Sequence, residues 1–266
     1  MRKLFSIGVL ALFAAARPAT AADIPVPAYQ PAPAIVLFSW SGFYIGAHGG
    51  GGWGRKETTA APYAFGLALI TPAPTTIDVS GWLAGAQIGA NYQVGSWVFG
   101  AEAQASWSNL SGSAVCTGTS TTAGVATPVS GTCNVKVNAL GTIAGRAGWA
   151  WDRLLVYGKG GVAWTNDKYN WESGTLLPPS LAANETRWGW MLGAGVEYAF
   201  LDSWSGKIEY NYMDLGTRTP GFTSASGLNF VANGLNSVVY SIRERISIVK
   251  LGINYRFGYT TVGVRY

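Results

Sequence analysis

The chain has 266 residues, a formal net charge of +5 and a positive mean hydropathy of +0.18. Charged residues make up only 12% of it, against about 25% in soluble domains. After residue 22 no uninterrupted apolar run reaches the roughly 18 residues of a membrane-spanning helix, which excludes a helical membrane protein. Removing three basic residues, Arg2, Lys3 and Arg17, lowers the net charge to +2, so a nucleic-acid partner is not expected.

The first 22 residues have the pattern of a secretory signal peptide. Two basic residues precede an apolar run from Leu4 to Ala16, and Ala19-Thr20-Ala21 supplies the small residues of a cleavage site. The apolar run is short for a membrane span, although Arg17 keeps an uncleaved anchor as the alternative. We therefore expect export and removal of residues 1–22.

A proline-rich segment, residues 23–38, comes next, with prolines at 25, 27, 31 and 33. Because proline has no backbone N–H and a restricted φ, this segment is expected to be an extended periplasmic arm and not a ladder strand. A passive spacer is one reading, and a tether that binds a partner or the cell wall is the other. Residues 39–266 form a single predicted domain.

That domain contains eight stretches in which apolar and polar residues alternate, the period of a β-strand. The predicted strands are residues 39–48, 79–94, 97–110, 135–151, 154–167, 186–200, 204–215 and 242–257. Three short turns alternate with four long loops, which are predicted at residues 55–78, 111–134, 168–185 and 216–241.

This arrangement predicts an all-β fold, an eight-stranded antiparallel transmembrane β-barrel with short periplasmic turns and long external loops. A soluble sheet with one buried face shows the same alternation. The abundance of Gly and Trp, 36 and 12 residues, together with the export signal favours the barrel, because a closed barrel satisfies its backbone within lipid.

The polar face of the predicted strands carries charges of both signs. Eight strands leave an interior that side chains just fill, and an unpaired ion there is costly. We expect a paired network, with a narrow ion-conducting path as the alternative. The predicted lumen residues are Glu102, Arg146, Lys159, Glu197, Lys207, Glu209, Lys250 and Arg256.

Aromatic residues mark the ends of the apolar faces, with small residues between them. That spacing is typical of strands that cross two lipid interfaces. The predicted interface aromatics are Trp82, Trp97, Trp107, Trp149, Trp188, Trp190, Tyr255 and Phe257.

Few residues offer site chemistry. The two cysteines, Cys116 and Cys133, fall in one predicted loop of an exported chain, so we expect a disulfide that stabilises the fold by about 3 kcal/mol. His48 is the only histidine, and no nucleophile motif accompanies it. We expect His48 to be a polar lumen residue; ligation of haem by His48 or Tyr44 is a weaker reading. No metal site, cofactor or enzymatic activity is expected.

Several stretches resemble the small alphaproteobacterial outer-membrane immunogenic proteins, whose barrel domain is opacity-protein-like. The resemblance implies the outer membrane of a Gram-negative bacterium and a structural or surface-antigen role, including adhesion through external loops. Small porins and haemin binders are the alternatives. The matching stretches are 21–25, Trp40-Ser41-Gly42-Phe43-Tyr44-Ile45-Gly46, 140–142, Gly193-Ala194-Gly195-Val196-Glu197-Tyr198-Ala199-Phe200, 207–210, 214–216 and Asn254-Tyr255-Arg256-Phe257.

The resemblance also implies partners. We expect contact with outer-membrane lipid and lipopolysaccharide, recognition of the C-terminal strand by the barrel assembly machinery, and a loop ligand of unknown chemistry. Relatives usually stop near the residue aligned with Phe257, whereas this chain continues to Tyr266. Either aromatic is therefore a candidate for the end of the last strand.

Overall fold

A computed structural model describes most of the predicted barrel domain. The predicted signal peptide, residues 23–35 of the predicted arm, and Tyr266 lie outside the described residues. The described ranges are 36–65, 67–173, 181–220, 222–224, 229–230, 240–257 and 262–263.

Eight long strands form one antiparallel ring. Each strand pairs with the next along the chain, and β8 pairs with β1 to close the ring. The predicted all-β, eight-stranded barrel is confirmed. The strands are β1 (Gly42–Ala60), β2 (Thr75–Val94), β3 (Trp97–Thr122), β4 (Val125–Trp151), β5 (Leu154–Ser173), β6 (Leu181–Ala199), β7 (Trp204–Arg218) and β8 (Tyr240–Phe257).

Within the described ranges, no helix has the length and apolar character needed to cross a membrane.

The strands run further than predicted at the end opposite the short turns. β1 continues through the glycines at 49–52, where the sequence predicted a strand end, and the predicted loop 111–134 is mostly the paired ends of β3 and β4. Those predictions were wrong because Ser, Thr and Gly are polar or small on both faces of a strand. Without a lipid-facing side, the period of two fades although the ladder continues.

Short strands accompany the ring. Tyr63–Phe65 pairs with Ala68–Pro72 inside the predicted loop 55–78, and Ala68–Pro72 also pairs with β3. Phe222–Ser224 pairs with Asn229–Phe230. Val36–Leu37 pairs with Val262–Gly263, so the last residues of the predicted arm form a ladder strand. No proline stands at either position to prevent this pairing.

Three connections between neighbouring strands have two residues, 95–96, 123–124 and 152–153, and each needs a left-handed backbone. The first and third are predicted short turns, whereas the second lies at the opposite end of the barrel. Gly95 has φ of 61°, and Asp152 has φ of 51°. The turn between β3 and β4 uses Ala123 and Gly124, both with positive φ. Such turns match the twist of the strands they join. Phe257 ends β8, where it pairs with Phe43 of β1.

The seam between β8 and β1 depends on glycine. A Cβ at Gly50 would clash with the carbonyl oxygen of Val249 on β8, whereas a Cβ at Gly49 would meet only the Leu83 carbonyl oxygen, at 3.7 Å. The run at 49–52 is therefore part of the ladder that closes the barrel.

Replacing Gly50 with alanine tests this closure. We expect Gly50→Ala to lower the free energy of unfolding by about 1–3 kcal/mol, because the added methyl group overpacks the seam. Gly49→Ala is the matched control and should change it by less than about 1 kcal/mol. The measurement is urea unfolding of the refolded chain in lipid vesicles, followed by tryptophan fluorescence. Equal effects of the two variants would contradict the assignment.

Candidate functional site

The alternation of each strand separates an apolar outside from a polar inside. On β8, Val249 is 38% exposed and Leu251 is 65% exposed, whereas Lys250 between them is 1% exposed. Trp82 and Leu192 on β2 and β6 are likewise exposed. The barrel therefore turns its apolar side chains outward and encloses its ions.

The predicted interface aromatics lie in two groups on the outer surface. The group near the short turns contains two packed pairs, with the rings of Trp97 and Trp149 5.0 Å apart and those of Tyr255 and Phe257 also 5.0 Å apart. The second group, towards the opposite end, is called the outer aromatic ring here. It contains Trp82, Trp107, Trp188 and Trp190 together with Trp53, which was not predicted.

All eight predicted lumen charges are buried inside the barrel. Seven of them form one connected group, called the inner charge cluster. Lys207 Nζ lies 2.7 Å from Glu102 Oε2, and Arg146 Nη1 lies 3.2 Å from Glu197 Oε2. The cluster consists of Glu102, Arg146, Lys159, Glu197, Lys207, Glu209 and Lys250.

Glu209 is the centre of this cluster. Its carboxylate oxygens lie 2.7 Å from Lys159 Nζ, 3.4 Å from Lys207 Nζ and 3.2 Å from Lys250 Nζ. Tyr157 Oη also donates a hydrogen bond to it, at 3.0 Å. One carboxylate is thus shared by three lysines that would otherwise repel one another, and Glu102 also contacts two of them, Lys159 and Lys207.

The structure places Arg256 apart from the cluster, at the end near the short turns. Its guanidinium donates hydrogen bonds to the backbone carbonyls of Ser39 and Asp202, at 3.1 and 3.0 Å. It also lies over the ring of Phe38, 4.4 Å from the centroid, and over Trp40, at 4.8 Å. Arg256 therefore packs the chain before β1 against the barrel end.

A second group, called the outer charge cluster, was missed by the sequence analysis. Lys56 Nζ lies 2.9 Å from Asp167 Oδ1 and 2.8 Å from Glu244 Oε1, with all three side chains fully buried. Arg187 approaches the same two carboxylates, at 3.5 and 3.6 Å. Lys56 was assigned to a loop; continuing the period of two from His48 through the glycines would have placed it in the lumen.

Apolar layers separate and cover the two clusters. The order is visible along β8, whose inward residues are Lys250, then Ile248 and Ile246, then Glu244, then Ile242. The middle apolar layer between the clusters consists of Leu83, Leu110, Val137, Leu140, Ala144, Ala163, Met191, Met213, Leu215, Ile246 and Ile248.

Two further apolar groups lie beyond the clusters. Near the short turns, the inner apolar layer contains Trp40, Val98 and Leu155. At the opposite end the outer apolar layer has larger side chains. Its members include Tyr63, Ile70, Ile77, Val79, Cys133, Val135, Trp171, Tyr240 and Ile242.

Cys116 and Cys133 are joined by a disulfide in this outer layer. They lie in the β3–β4 ladder, Cys116 opposite Gly131 and Cys133 opposite Ala114, and not in the open loop that was predicted. The disulfide forms one wall of a pocket that Tyr63 and Tyr240 also line.

His48 is buried between two neutral side chains. Its Nδ1 contacts Gln87 Oε1, and its Nε2 lies 2.7 Å from Ser106 Oγ. A histidine beside a serine hydroxyl is one part of a catalytic triad, but here the side chain on the other ring nitrogen is an amide. Tyr44 donates its hydroxyl to Glu102, at 2.9 Å. The structure therefore gives both residues hydrogen-bonding partners inside the lumen.

Neutralising the central carboxylate tests the inner charge cluster. We expect Glu209→Gln to lower the free energy of unfolding by about 3 kcal/mol or more, because three buried lysines lose their shared counter-charge. Glu172→Gln removes an exposed carboxylate and should change it by less than about 0.5 kcal/mol. Urea unfolding in vesicles measures both variants. Equal stabilities would show that the cluster does not depend on Glu209.

Known proteins resemble this chain over nearly its whole length. The model of a family described as "Outer membrane protein beta-barrel domain" matches residues 7–257. The 31 kDa outer-membrane immunogenic protein of Brucella melitensis biotype 1 is 31% identical over 97% of this chain and 100% of its own. The 22 kDa outer membrane protein of Rhizobium leguminosarum bv. viciae is 28% identical over 86% and 83%.

Some solved structures also align with this chain over most of its length. The outer membrane protein OprG from Pseudomonas aeruginosa aligns with a TM-score of 0.43 and 13% identity, over 82% of this chain and 97% of its own. The outer membrane protease OmpT from Escherichia coli aligns with a TM-score of 0.47 and 9% identity, over 81% and 97%.

Proposed function

Because this chain belongs to the outer membrane protein beta-barrel domain family, we propose that its role in the Gram-negative outer membrane is structural and surface-exposed. In this proposal the barrel has a lumen filled by side chains, and it strengthens the envelope. Its long outer hairpins make the contacts with the surroundings.

The occlusion of the lumen carries this proposal. A path for ions or small solutes needs continuous polar surface or water along the barrel axis, and hydrophobic constrictions block conduction by dewetting. In this barrel the middle apolar layer, with buried Leu83, Leu140 and Ile248, lies between the two charge clusters. The ions of each cluster also bind one another, so that entry of a solute would break buried pairs.

The outer hairpin of β3 and β4 supports the surface role. From Trp107 in the outer aromatic ring, β3 continues for fifteen residues to Thr122, which is roughly 50 Å along an extended strand. The disulfide joins the two strands within this projecting part. The Brucella relatives are named immunogenic, and we extend surface recognition to this chain as part of the proposal.

The same occlusion supports a non-enzymatic role without haem binding. His48 and Tyr44 are both buried in the lumen and contact Gln87, Ser106 and Glu102, so a substrate or a haem would have to displace these partners to reach them. We further propose that the aromatic end of β8, Tyr255 and Phe257, is what the barrel assembly machinery reads, and that the two aromatic groups anchor the barrel at the lipid interfaces.

Conductance in planar lipid bilayers tests the proposal against the porin alternative. The refolded chain should insert without unitary current steps, because the middle apolar layer separates the two charge clusters along the barrel axis. A large trimeric porin added to the same membranes serves as the positive control for insertion and detection.

Insertion of the protein itself must be verified in the same experiment, by recovering the heat-modifiable folded form from the membranes. Reproducible current steps from the folded chain would contradict the structural role and favour the small-porin function.

A further inference from the structure

The outer surface just beyond the outer aromatic ring carries cations in two different settings. On the side formed by β7, β8, β1 and β2, three arginines are balanced by acids. Arg55 Nε lies 3.1 Å from Asp78 Oδ1, Arg245 Nη2 lies 2.8 Å from Glu57 Oε1, and Arg243 Nη2 lies 3.5 Å from Asp214 Oδ2.

On the other side, Lys136 of β4 and Lys168 of β5 have no such balance. They are directly opposite each other in the ladder, and both are exposed. Within the described part of the chain, no carboxylate oxygen lies within 4 Å of either ammonium group. Like charges placed directly opposite on neighbouring strands are destabilising, so this pair is costly unless an anion joins it.

A β-bulge determines that Lys136 faces outward. The β4–β5 register shifts between Val137 and Ala139, which makes Asn138 an extra residue on β4. Between Asn138 and the end of β4 at Trp151, the exposed residues have odd numbers, such as Ile143. Just before Asn138 in the chain, an even-numbered residue, Lys136, is exposed. Bulges at barrel rims re-aim side chains, and without this one Lys136 would face the lumen.

Neutral hydrogen-bonding side chains surround the two lysines. In the ladder, Ser111 and Asn184 flank the lysine pair in one row. The row beyond it consists of Ser113, Asn134 and Asn170. Among the described outward residues of β3 to β6, the acid is Glu172, four residues along β5 from Lys168 and therefore roughly 13 Å away.

We propose that Lys136 and Lys168 form a binding site for a phosphate group of lipid A, the phosphorylated glycolipid of the outer leaflet. Two ammonium groups match a phosphate monoester in charge, and the surrounding hydroxyls and amides can donate to its remaining oxygens. This inference requires that the barrel lies in the outer membrane, and it does not depend on the proposed occlusion of the lumen.

The position of the pair favours a lipid headgroup over free phosphate. Lys136 lies three residues before Ala139, the ladder partner of Trp107 in the outer aromatic ring. Below that ring the same strands expose Ile143 and Val162, an apolar surface for acyl chains. One lipid A molecule would then be bound at both ends, by its phosphate at the lysines and by its acyl chains on this surface.

Binding of purified lipid A tests the site. The probes are diphosphorylated lipid A, its fully dephosphorylated form and inorganic phosphate, each titrated against the full folded chain in detergent and read by native mass spectrometry. We expect the double variant Lys136→Gln with Lys168→Gln to bind diphosphorylated lipid A about 10-fold more weakly, which corresponds to about 1.4 kcal/mol. Dephosphorylated lipid A should bind both proteins equally.

The matched control is Arg55→Gln with Arg245→Gln. These arginines also lie opposite each other in the ladder, so the control removes the same number of positive charges. Unlike the two lysines, each of these arginines is paired with an acid. Its affinity for lipid A should stay within twofold of wild type. Heat-modifiable migration on gels verifies that every variant is folded.

An equal loss of affinity in both double variants, or none in the lysine variant, would overturn the site. Displacement of lipid A by inorganic phosphate at a concentration near the dissociation constant of lipid A would also overturn it, because the site would then be one for free phosphate. Retention of lipid A at a 100-fold higher phosphate concentration supports the lipid.

Discussion

The need to pair every ion inside a narrow closed barrel governs this structure. Eight strands leave an interior that side chains just fill, so a buried charge lies against the side chains of other strands. The carboxylate of Glu209 meets Lys159, Lys207 and Lys250 within 3.4 Å. Because a lone ion in such a place is costly, the charges of different strands determine one another. The cluster therefore couples strands that are far apart in sequence.

The interior is layered, and the layers explain why one barrel carries two charge clusters. The middle apolar layer around Leu83 and Ile248 keeps the inner cluster separate from the pairs that Lys56 makes with Asp167 and Glu244. Each cluster thus lies between apolar layers, which strengthen its ion pairs by lowering the local dielectric constant. The same layers supply the occlusion on which the proposed structural role rests.

Much of the barrel followed from the period of two. Alternation through Val249 to Phe257 predicted which residues face inward, and the eight lumen charges it selected are all buried. It failed where the outward face of a strand is no longer apolar, and it therefore assigned Lys56 and both cysteines to loops. The bulge at Asn138 leaves no mark in the sequence pattern, because odd-numbered residues are apolar on both sides of it, although Ile143 faces outward and Val137 is buried inside. The partners of each charge depend on ladder register, which the sequence pattern does not contain.

The central claim is that the lumen lysines are ion-paired and not solvated. Rotational-echo solid-state NMR measures it directly, through the dephasing of 15Nζ-labelled lysine by 13Cδ-labelled glutamate and 13Cγ-labelled aspartate, in the full chain reconstituted in lipid. Four lysines, Lys56, Lys159, Lys207 and Lys250, have carboxylate oxygens within 3.4 Å, so their signals should dephase strongly, while Lys136 and Lys168 should not. Uniformly weak dephasing of all lysine signals, together with contact between every lysine ammonium group and mobile water, would contradict the account.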